Sequence, residues 1–335
     1  MLKNQSHFKH DIVDKLSKYV IGQNEPKIAL ARALENLNNP LFKKKWPLYK
    51  ALYYWQTWSW KTEMVKALAR VLFDDEYWYT HVSCENMQHW HEISKLFWAP
   101  PWFIGSEKEA MFSERNLYSS YESAQKSWRL MEWLKWRWAM SIILFDEIEK
   151  AHRDISQALM SVLDEWMIYL NNWKKVDIWN SFVLMTSNIW ESNIKNIATP
   201  VWFNSNINKI DIDWVRDWAV KKHFSPEFLW RMDWLYRFEK IEWEWLYKVL
   251  SKLLKDLDED VKRLWKSGVK FSLSNEAKKN IVDNSWNSIR DMERYFNNNV
   301  RNKLWNIINS NWLYWIEQKV IIEIDYEDWF IFNWR

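Results

Sequence analysis

Four short apolar runs, each bounded by polar residues, constrain this chain more than any other feature in it. They are "ALYYW" (51–55), "YTHVS" (79–83), "SIILFDE" (141–147) and "SFVLMTSN" (181–188). Runs this short and continuous read as strands buried on both faces. The segments between them carry a helical period instead. Thr62 to Phe73 sets Val65, Leu68, Ala69 and Leu72 on one face, and Ile155 to Leu163 does the same with Ile155, Leu159, Val162 and Leu163. Strands alternating with helices predict an α/β fold, a parallel sheet flanked by helices on both sides. The polar stretch from Ser106 to Ser127 reads as a surface insertion.

Beyond about Phe238 the pattern changes. Helical spacing dominates from Leu246 to Leu264 and from Asn275 to Ile308, and a strand pair follows in "KVIIEIDYEDWFIFN". The expected organisation is a large α/β domain over 1–238, then a smaller, mainly helical domain over 239–335 that ends in a β-hairpin.

Charge and hydropathy exclude several classes of partner. Lys and Arg number 47 against 44 Asp and Glu, a formal charge of +3. That balance gives no basic stripe for nucleic acid or an anionic membrane. No run approaches the roughly 18 apolar residues of a membrane span, and the first twenty residues lack the apolar centre of a signal peptide. A single cysteine, Cys84, rules out an intramolecular disulfide and fits a reducing cytoplasm.

Two counts do not fit an ordinary globular chain: 3 glycines and 30 tryptophans. Average usage would give roughly 23 glycines in this length. One residue type has been traded for the other, so the high aromatic content says little about the core.

The turn after the first strand carries the first chemistry. A phosphate-binding loop has the form GxxxxGK[ST] between a strand and a helix, with backbone N–H groups turned inward around the phosphates. Trp55, Gln56, Thr57, Trp58, Ser59, Trp60, Lys61 and Thr62 have that spacing, with Glu63 following on the helix. Lys61 would reach the phosphates and the Thr62 hydroxyl would hold Mg²⁺. With both glycines missing, an ordinary connection with an exposed Lys-Thr competes with this reading. The third strand answers it: Ile142–Phe145 runs into Asp146-Glu147, an acidic pair suited to holding Mg²⁺ and polarising a water. The next strand ends in "MTSN", which places the Asn188 amide to sense a γ-phosphate or orient that water.

At this point the sequence resembles the Clp family of AAA+ unfoldases, specifically their second ATPase module, over nearly its whole length. "YVIGQNEP" (19–26) is similar to the family's Val-Ile-Gly-Gln entry, in which Val20 and Ile21 would line the adenine pocket. "LFDEIEKAH" (144–152) resembles the extended acidic strand motif. "FSPEFLWRMD" (224–233) resembles the segment with the trans-acting arginine finger, which falls on Arg231. "SIRDMERYF" (288–296) resembles the second sensor, with Arg290 facing the γ-phosphate. "APPWFIG" (99–105) resembles the central-pore loop, whose gripping aromatic is Phe103. "PVWFN" (200–204) matches a peptidase-docking loop, with Val201, Trp202 and Phe203 as aliphatic-Gly-Phe if Trp202 stands for glycine; a chance apolar loop is the alternative.

The tryptophans sort against this family. Trp55, Trp58, Trp60, Trp98, Trp102, Trp166, Trp173, Trp190 and Trp202 all fall on family glycines, whereas Trp90 and Trp179 do not. Some bacterial lineages read UGA as glycine, and another code reads it as tryptophan. The pattern is that of a glycine-UGA gene rendered with tryptophan, and UGG codons at 55, 58 and 60 would exclude it. A chain that truly carries these indoles is expected to bind no ATP, because tryptophan adopts positive φ poorly and fills the phosphate space.

For the glycine form, the resemblance implies ATP and Mg²⁺ as ligands, with Thr62 and Asp146 around the metal and Glu147 as general base. Asn188 and Arg290 would sense nucleotide, and Arg231 would complete a neighbouring site in a ring, a hexamer in this family. Phe103 would draw unfolded polypeptide through the pore, toward a barrel peptidase of the ClpP kind. A disaggregase of the same family, a nucleotide-dead assembly subunit and a clamp-loader-like DNA ATPase are the competing readings. The chain opens at the ATPase module, which leaves a piece of a two-module chain and a single-ring protein both open.

Overall fold

The computed structural model describes residues 2–37, 47–54, 60–89, 92, 96, 111–126, 139–170, 175–189, 220, 223–239, 243–265, 270–285, 289–310, 321–327 and 329–334. Five of the candidate loop residues (Trp55, Gln56, Thr57, Trp58, Ser59), the pore candidate Phe103 and the docking candidates Val201, Trp202 and Phe203 lie outside them. The chain divides into two compact units, Met1–Glu239 and Lys240–Arg335.

The first unit is built on a five-stranded sheet of β1 (Tyr49–Tyr54), β2 (Thr80–Ser83), β3 (Ser141–Asp146), β6 (Ser181–Ser187) and β7 (Trp234–Arg237), in the order β2-β3-β6-β1-β7. Every pairing in it is parallel. All seven residues of β6 are buried, as a strand covered by helices on both faces requires. The register aligns Ser141 with Ser181, and their hydroxyls meet at 2.7 Å inside the sheet. Two short strands, β4 (Met167–Tyr169) and β5 (Lys175–Asp177), pair antiparallel as a separate ribbon.

All four strands expected from the sequence are present. β7 was not expected, because "WLYR" offers little alternation and buries only Tyr236. It is held beside β1 by two bonds between Asp233 and Lys50: Asp233 N–H donates to Lys50 O at 3.0 Å, and Lys50 N–H donates to the Asp233 carboxylate at 3.1 Å. The stretch read as a surface insertion needs correction. Glu114–Lys126 is a helix whose Leu117, Tyr121 and Ala124 are buried in the core with Phe112. Their spacing puts all three on one face, a signal outweighed by the polar residues around them.

Helix α1 (Leu2–Ser17) leads through the "YVIGQ" turn into α2 (Asn24–Leu37). Gly22 turns at φ 68° and Gln23 follows at φ 51°. The Gln23 side chain pairs with both backbone groups of Glu239, accepting from its N–H and donating to its carbonyl, each at 3.0 Å.

On α2, Lys27 is 2% exposed and donates to the Ser17 hydroxyl at 3.0 Å. Burial pulls its ammonium down to about 8. The folded state therefore bears the full desolvation cost below pH 8. Stability rises as the pH climbs from there toward about 10.4, where the unfolded chain also loses the proton. Lys27→Met is expected to stabilise the protein by about 2 kcal/mol near neutral pH, with the gain shrinking above pH 8. Urea unfolding at both pH values checks this; a gain independent of pH would contradict it.

Helix α3 (Lys61–Phe73) buries Met64, Val65, Leu68 and Leu72 against the sheet. The helix Arg153–Glu165 ends at Trp166, whose backbone is left-handed at φ 59°, ψ 16°, with its N–H on Val162 O at 2.9 Å. This is the closing position of a helix where glycine is favoured, and a β-carbon there costs about 1–2 kcal/mol. The indole is partly compensated by the Lys50 ammonium, 4.4 Å from the ring centroid. Trp179, which matches no family glycine, is not among the left-handed residues. Trp166→Gly is expected to raise Tm by about 2–4 °C, while Trp179→Gly is not. Thermal melts of the two variants read the contrast directly.

The second unit opens on the long helix Trp243–Trp265, which buries Leu246, Val249, Leu250, Leu257 and Val261. Its sheet runs in the order β10-β9-β8, with β8 (Lys270–Leu273) parallel to β9 (Ile321–Tyr326) and β10 (Phe330–Trp334) antiparallel to it. The terminal hairpin is as expected and β8 is an addition to it. The helical pattern from Asn275 is not one helix: Asn275–Asp283 is capped by the Ser274 hydroxyl and stops at Asn284, and Ile289–Phe296 begins a second. The break contains no proline or glycine, so the sequence did not mark it.

Candidate functional site

In a parallel sheet the carboxyl ends of the strands share one edge, where ligands of open α/β folds bind. β3 and β6 are neighbours, so Asp146-Glu147 and Thr186–Asn188 arrive there side by side. The end of β1 joins them, since Tyr54 lies opposite Ser187. Immediately beyond the candidate loop, α3 presents its N-terminus, whose unpaired N–H groups favour an anion.

Lys61 is 4% exposed on the first turn of α3. Its ammonium donates to Ser187 O at 2.8 Å and to the Asn188 side-chain oxygen. The other end of that amide, Asn188 Nδ2, donates to Glu147 Oε1 at 2.7 Å, and Asn188 N–H donates to Glu149 Oε1 at 2.8 Å. A line of contacts thus runs from the candidate phosphate lysine through one amide to the candidate base. The sequence placed these three residues on separate elements, and the fold brings them within bonding distance.

Asp146 sits at the last position of β3. Its Oδ1 accepts from the Thr186 hydroxyl at 2.5 Å, and its Oδ2 lies 3.4 Å from His81 Nε2. The Thr186 oxygen in turn accepts the Glu147 N–H at 3.0 Å. Thr186 and His81 were missed by sequence reasoning: Thr186 reads as an ordinary strand residue until the register sets it beside Asp146. The hard oxygens of Thr62 and Asp146 suit Mg²⁺, which favours carboxylate and hydroxyl ligands.

Glu147 leaves the strand in a left-handed conformation, φ 57° and ψ 52°. A residue other than glycine is strained there, and the reversal aims its side chain back across the edge of the sheet. The turn Ile148–Lys150 follows, with Lys150 N–H on Glu147 O at 2.9 Å. Lys150 Nζ reaches Glu147 Oε2 at 2.6 Å and Glu85 Oε1 at 3.0 Å. Those two hydrogen bonds, to Glu147 first and then Glu85, raise the pKa of the lysine.

Trp60 is the one described tryptophan of the loop. It is 2% exposed, and its indole Nε1 is buried with no hydrogen-bond partner among the described residues. Leaving such a donor unbonded costs about 1–3 kcal/mol. Its φ is −65°, so at this position the backbone does not demand glycine. The objection to tryptophan here is volume, not conformation, which narrows the sequence argument.

Other candidates fall elsewhere. Val20 is buried and Ile21 half-buried beside the Gly22 turn. Arg231 joins Asp164, with Nε to Oδ1 at 2.7 Å and Nη2 to Oδ2 at 2.5 Å, and Nη1 donates to Glu227 O at 2.5 Å. The hydrogen bonds to Asp164 raise its pKa. Arg290 is exposed on the helix Ile289–Phe296 of the second unit. Cys84 is fully buried, and burial pushes its thiol up, the behaviour of a packing residue. His152 accepts from Asp154 N–H at 3.3 Å to cap its helix, a structural role. No helix among the described residues is long and apolar enough to cross a membrane.

Residues 47–235, more than half of the chain, match the AAA domain (Cdc48 subfamily) family. The chaperone protein ClpB of Clostridium perfringens is 27% identical over 288 residues, 85% of this chain and 30% of that protein. ClpB of Helicobacter hepaticus is 27% identical over 311 residues, 92% of this chain and 33% of that protein. The chain thus spans about a third of these relatives' length. Among solved structures, a closed-state cryo-EM reconstruction of Hsp104 with ATPγS and FITC casein superposes with a TM-score of 0.73 at 25% identity, covering 99% of this chain and 52% of that one. With the parallel sheet, the acidic pair and Lys61 at one edge, these matches establish that the chain belongs to the AAA family (Cdc48 subfamily), as an ATPase module of the Clp/Hsp100 kind.

Proposed function

We propose that the glycine form of this chain is an ATP-driven protein unfoldase of the disaggregase type. One observation carries the reading: Lys61, Asn188 and Glu147 form an unbroken hydrogen-bonded line at the carboxyl edge of the sheet, beside Asp146. A phosphate-binding cation, an orienting amide and a base in that order would suit γ-phosphate hydrolysis, and this supports the reading.

Glu147 accepts a proton from the attacking water, and Asn188 holds that carboxylate and the water in line. Lys61 moves from the Asn188 oxygen onto the phosphates when ATP is bound. Thr62 and Asp146 would hold Mg²⁺, which neutralises charge on the phosphate oxygens when bound. Val20 and Ile21 flank the adenine. Arg231 serves the site of an adjacent subunit in a hexameric ring, where its guanidinium offsets transition-state charge. Arg290 senses the nucleotide from the small domain, 239–335, and the large domain, 1–238, carries the catalysis. Phe103 grips unfolded polypeptide in the pore, and the protein works in the cytoplasm.

The ClpB relatives support the chaperone role, and Hsp104 was captured with ATPγS and casein, the same two ligand classes. A second reading, delivery into a ClpP-like peptidase, rests on Val201-Trp202-Phe203 alone. Recovery of soluble protein from heat-aggregated substrate, in ATP and with glycine restored, tests the proposal. Absence of both ATP hydrolysis and recovery overturns it, and co-elution with a peptidase in ATP would favour the second reading.

A further inference from the structure

We propose that Lys150 is a positioning residue that holds the general base in check, and that Glu85 competes for it. The inference rests on reading Glu147 as the base.

A turn with three residues per rotation stacks residue i over i+3. "EIEK" places an acid and a lysine at that spacing, and Ile148–Lys150 forms such a turn. Lys150 consequently lies over Glu147 and takes its Oε2 at 2.6 Å, while Asn188 takes Oε1 at 2.7 Å. Both carboxylate oxygens are committed to donors, one of them a cation. A charge-assisted contact of this length fixes the carboxylate where it stands and occupies the oxygen that an attacking water would approach.

Lys150 has a second acceptor within reach. Glu85 lies in the turn Cys84–Asn86 after β2, the strand paired with β3, and its Oε1 is 3.0 Å from the same ammonium. Next to it, His152 N–H donates to Met87 O at 2.8 Å, tying the two turns together. An ammonium carries three donors, so it serves both acids in this state. A small shift toward Glu85 releases Oε2 of Glu147 without moving the β3 backbone. Glu85 is the more exposed acid, 59% against 23% for the Glu147 side chain, and so the freer of the two to draw the lysine away.

The two acids give opposite signatures, which a purely structural role would not. In the full chain with glycine at 55, 58 and 60, Lys150→Met is expected to raise kcat by about threefold to tenfold, with KM for ATP unchanged. Glu85→Gln is expected to lower kcat, Lys150→Arg to stay near the parent, and the Lys150→Met/Glu85→Gln pair to match Lys150→Met alone. A fall with Lys150→Met, or an unchanged rate with Glu85→Gln, overturns the proposal. The contact itself is read without nucleotide, in the tryptophan chain, by a thermal cycle of Lys150→Met, Glu147→Gln and the double variant. Additive Tm shifts overturn it even if the parent proves inactive, whereas a parent that hydrolyses no ATP beside non-additive shifts removes only the ATPase reading.

Discussion

Glycine at positions 55, 58 and 60 is expected to turn a chain without measurable affinity for ATP into one that binds it tightly. The effect should be at least about a thousandfold in Kd, some 4 kcal/mol. A phosphate loop works through backbone N–H groups that approach the anion closely, which requires small side chains around them. Indoles at three positions where such a loop calls for glycine would compete for the volume the phosphates need. The one that is described, Trp60, is buried with its Nε1 unbonded, so its removal relieves a cost as well as opening space. Titration of a fluorescent nucleotide into both forms is the measurement, and equal affinities would refute the account. Lys61 and Thr62 are identical in the two forms, so any gain belongs to the glycines.

In the glycine form, Glu147→Gln should bind ATP about as well as its parent and hydrolyse it about 10²–10⁴ times more slowly. Glutamine is isosteric and keeps an oxygen for Asn188 Nδ2, so that contact survives while the proton acceptor and the ion pair with Lys150 do not. Steady-state hydrolysis and nucleotide binding measured on one preparation separate the two effects. Undiminished turnover would remove Glu147 from the role.

How far the sequence reached is best seen in particular residues. β1, β3 and β6 were legible because continuous apolar runs have few other fates, and Asp146-Glu147 was legible because it follows one of them. β7 was not: its place depends on hydrogen bonds of the Asp233 backbone and carboxylate to the Lys50 backbone, 183 positions apart. The helix Glu114–Lys126 was masked by its polar majority, although Leu117, Tyr121 and Ala124 kept the period. The left-handed turn at Glu147 and the pairing of Asp146 with Thr186 are properties of register and of the connection between strands. Composition carries no trace of either. Trp166 was flagged by family pattern alone, and its φ of 59° supplies the physical reason that glycine belongs there.

Asn188 touches Lys61 with one end of its amide and Glu147 with the other. An amide is a rigid plate, so turning the oxygen away from the lysine swings the nitrogen away from the acid. In the proposed mechanism the plate therefore stays and Lys61 is the partner that departs, which leaves the hold on Glu147 undisturbed while the phosphates gain a cation.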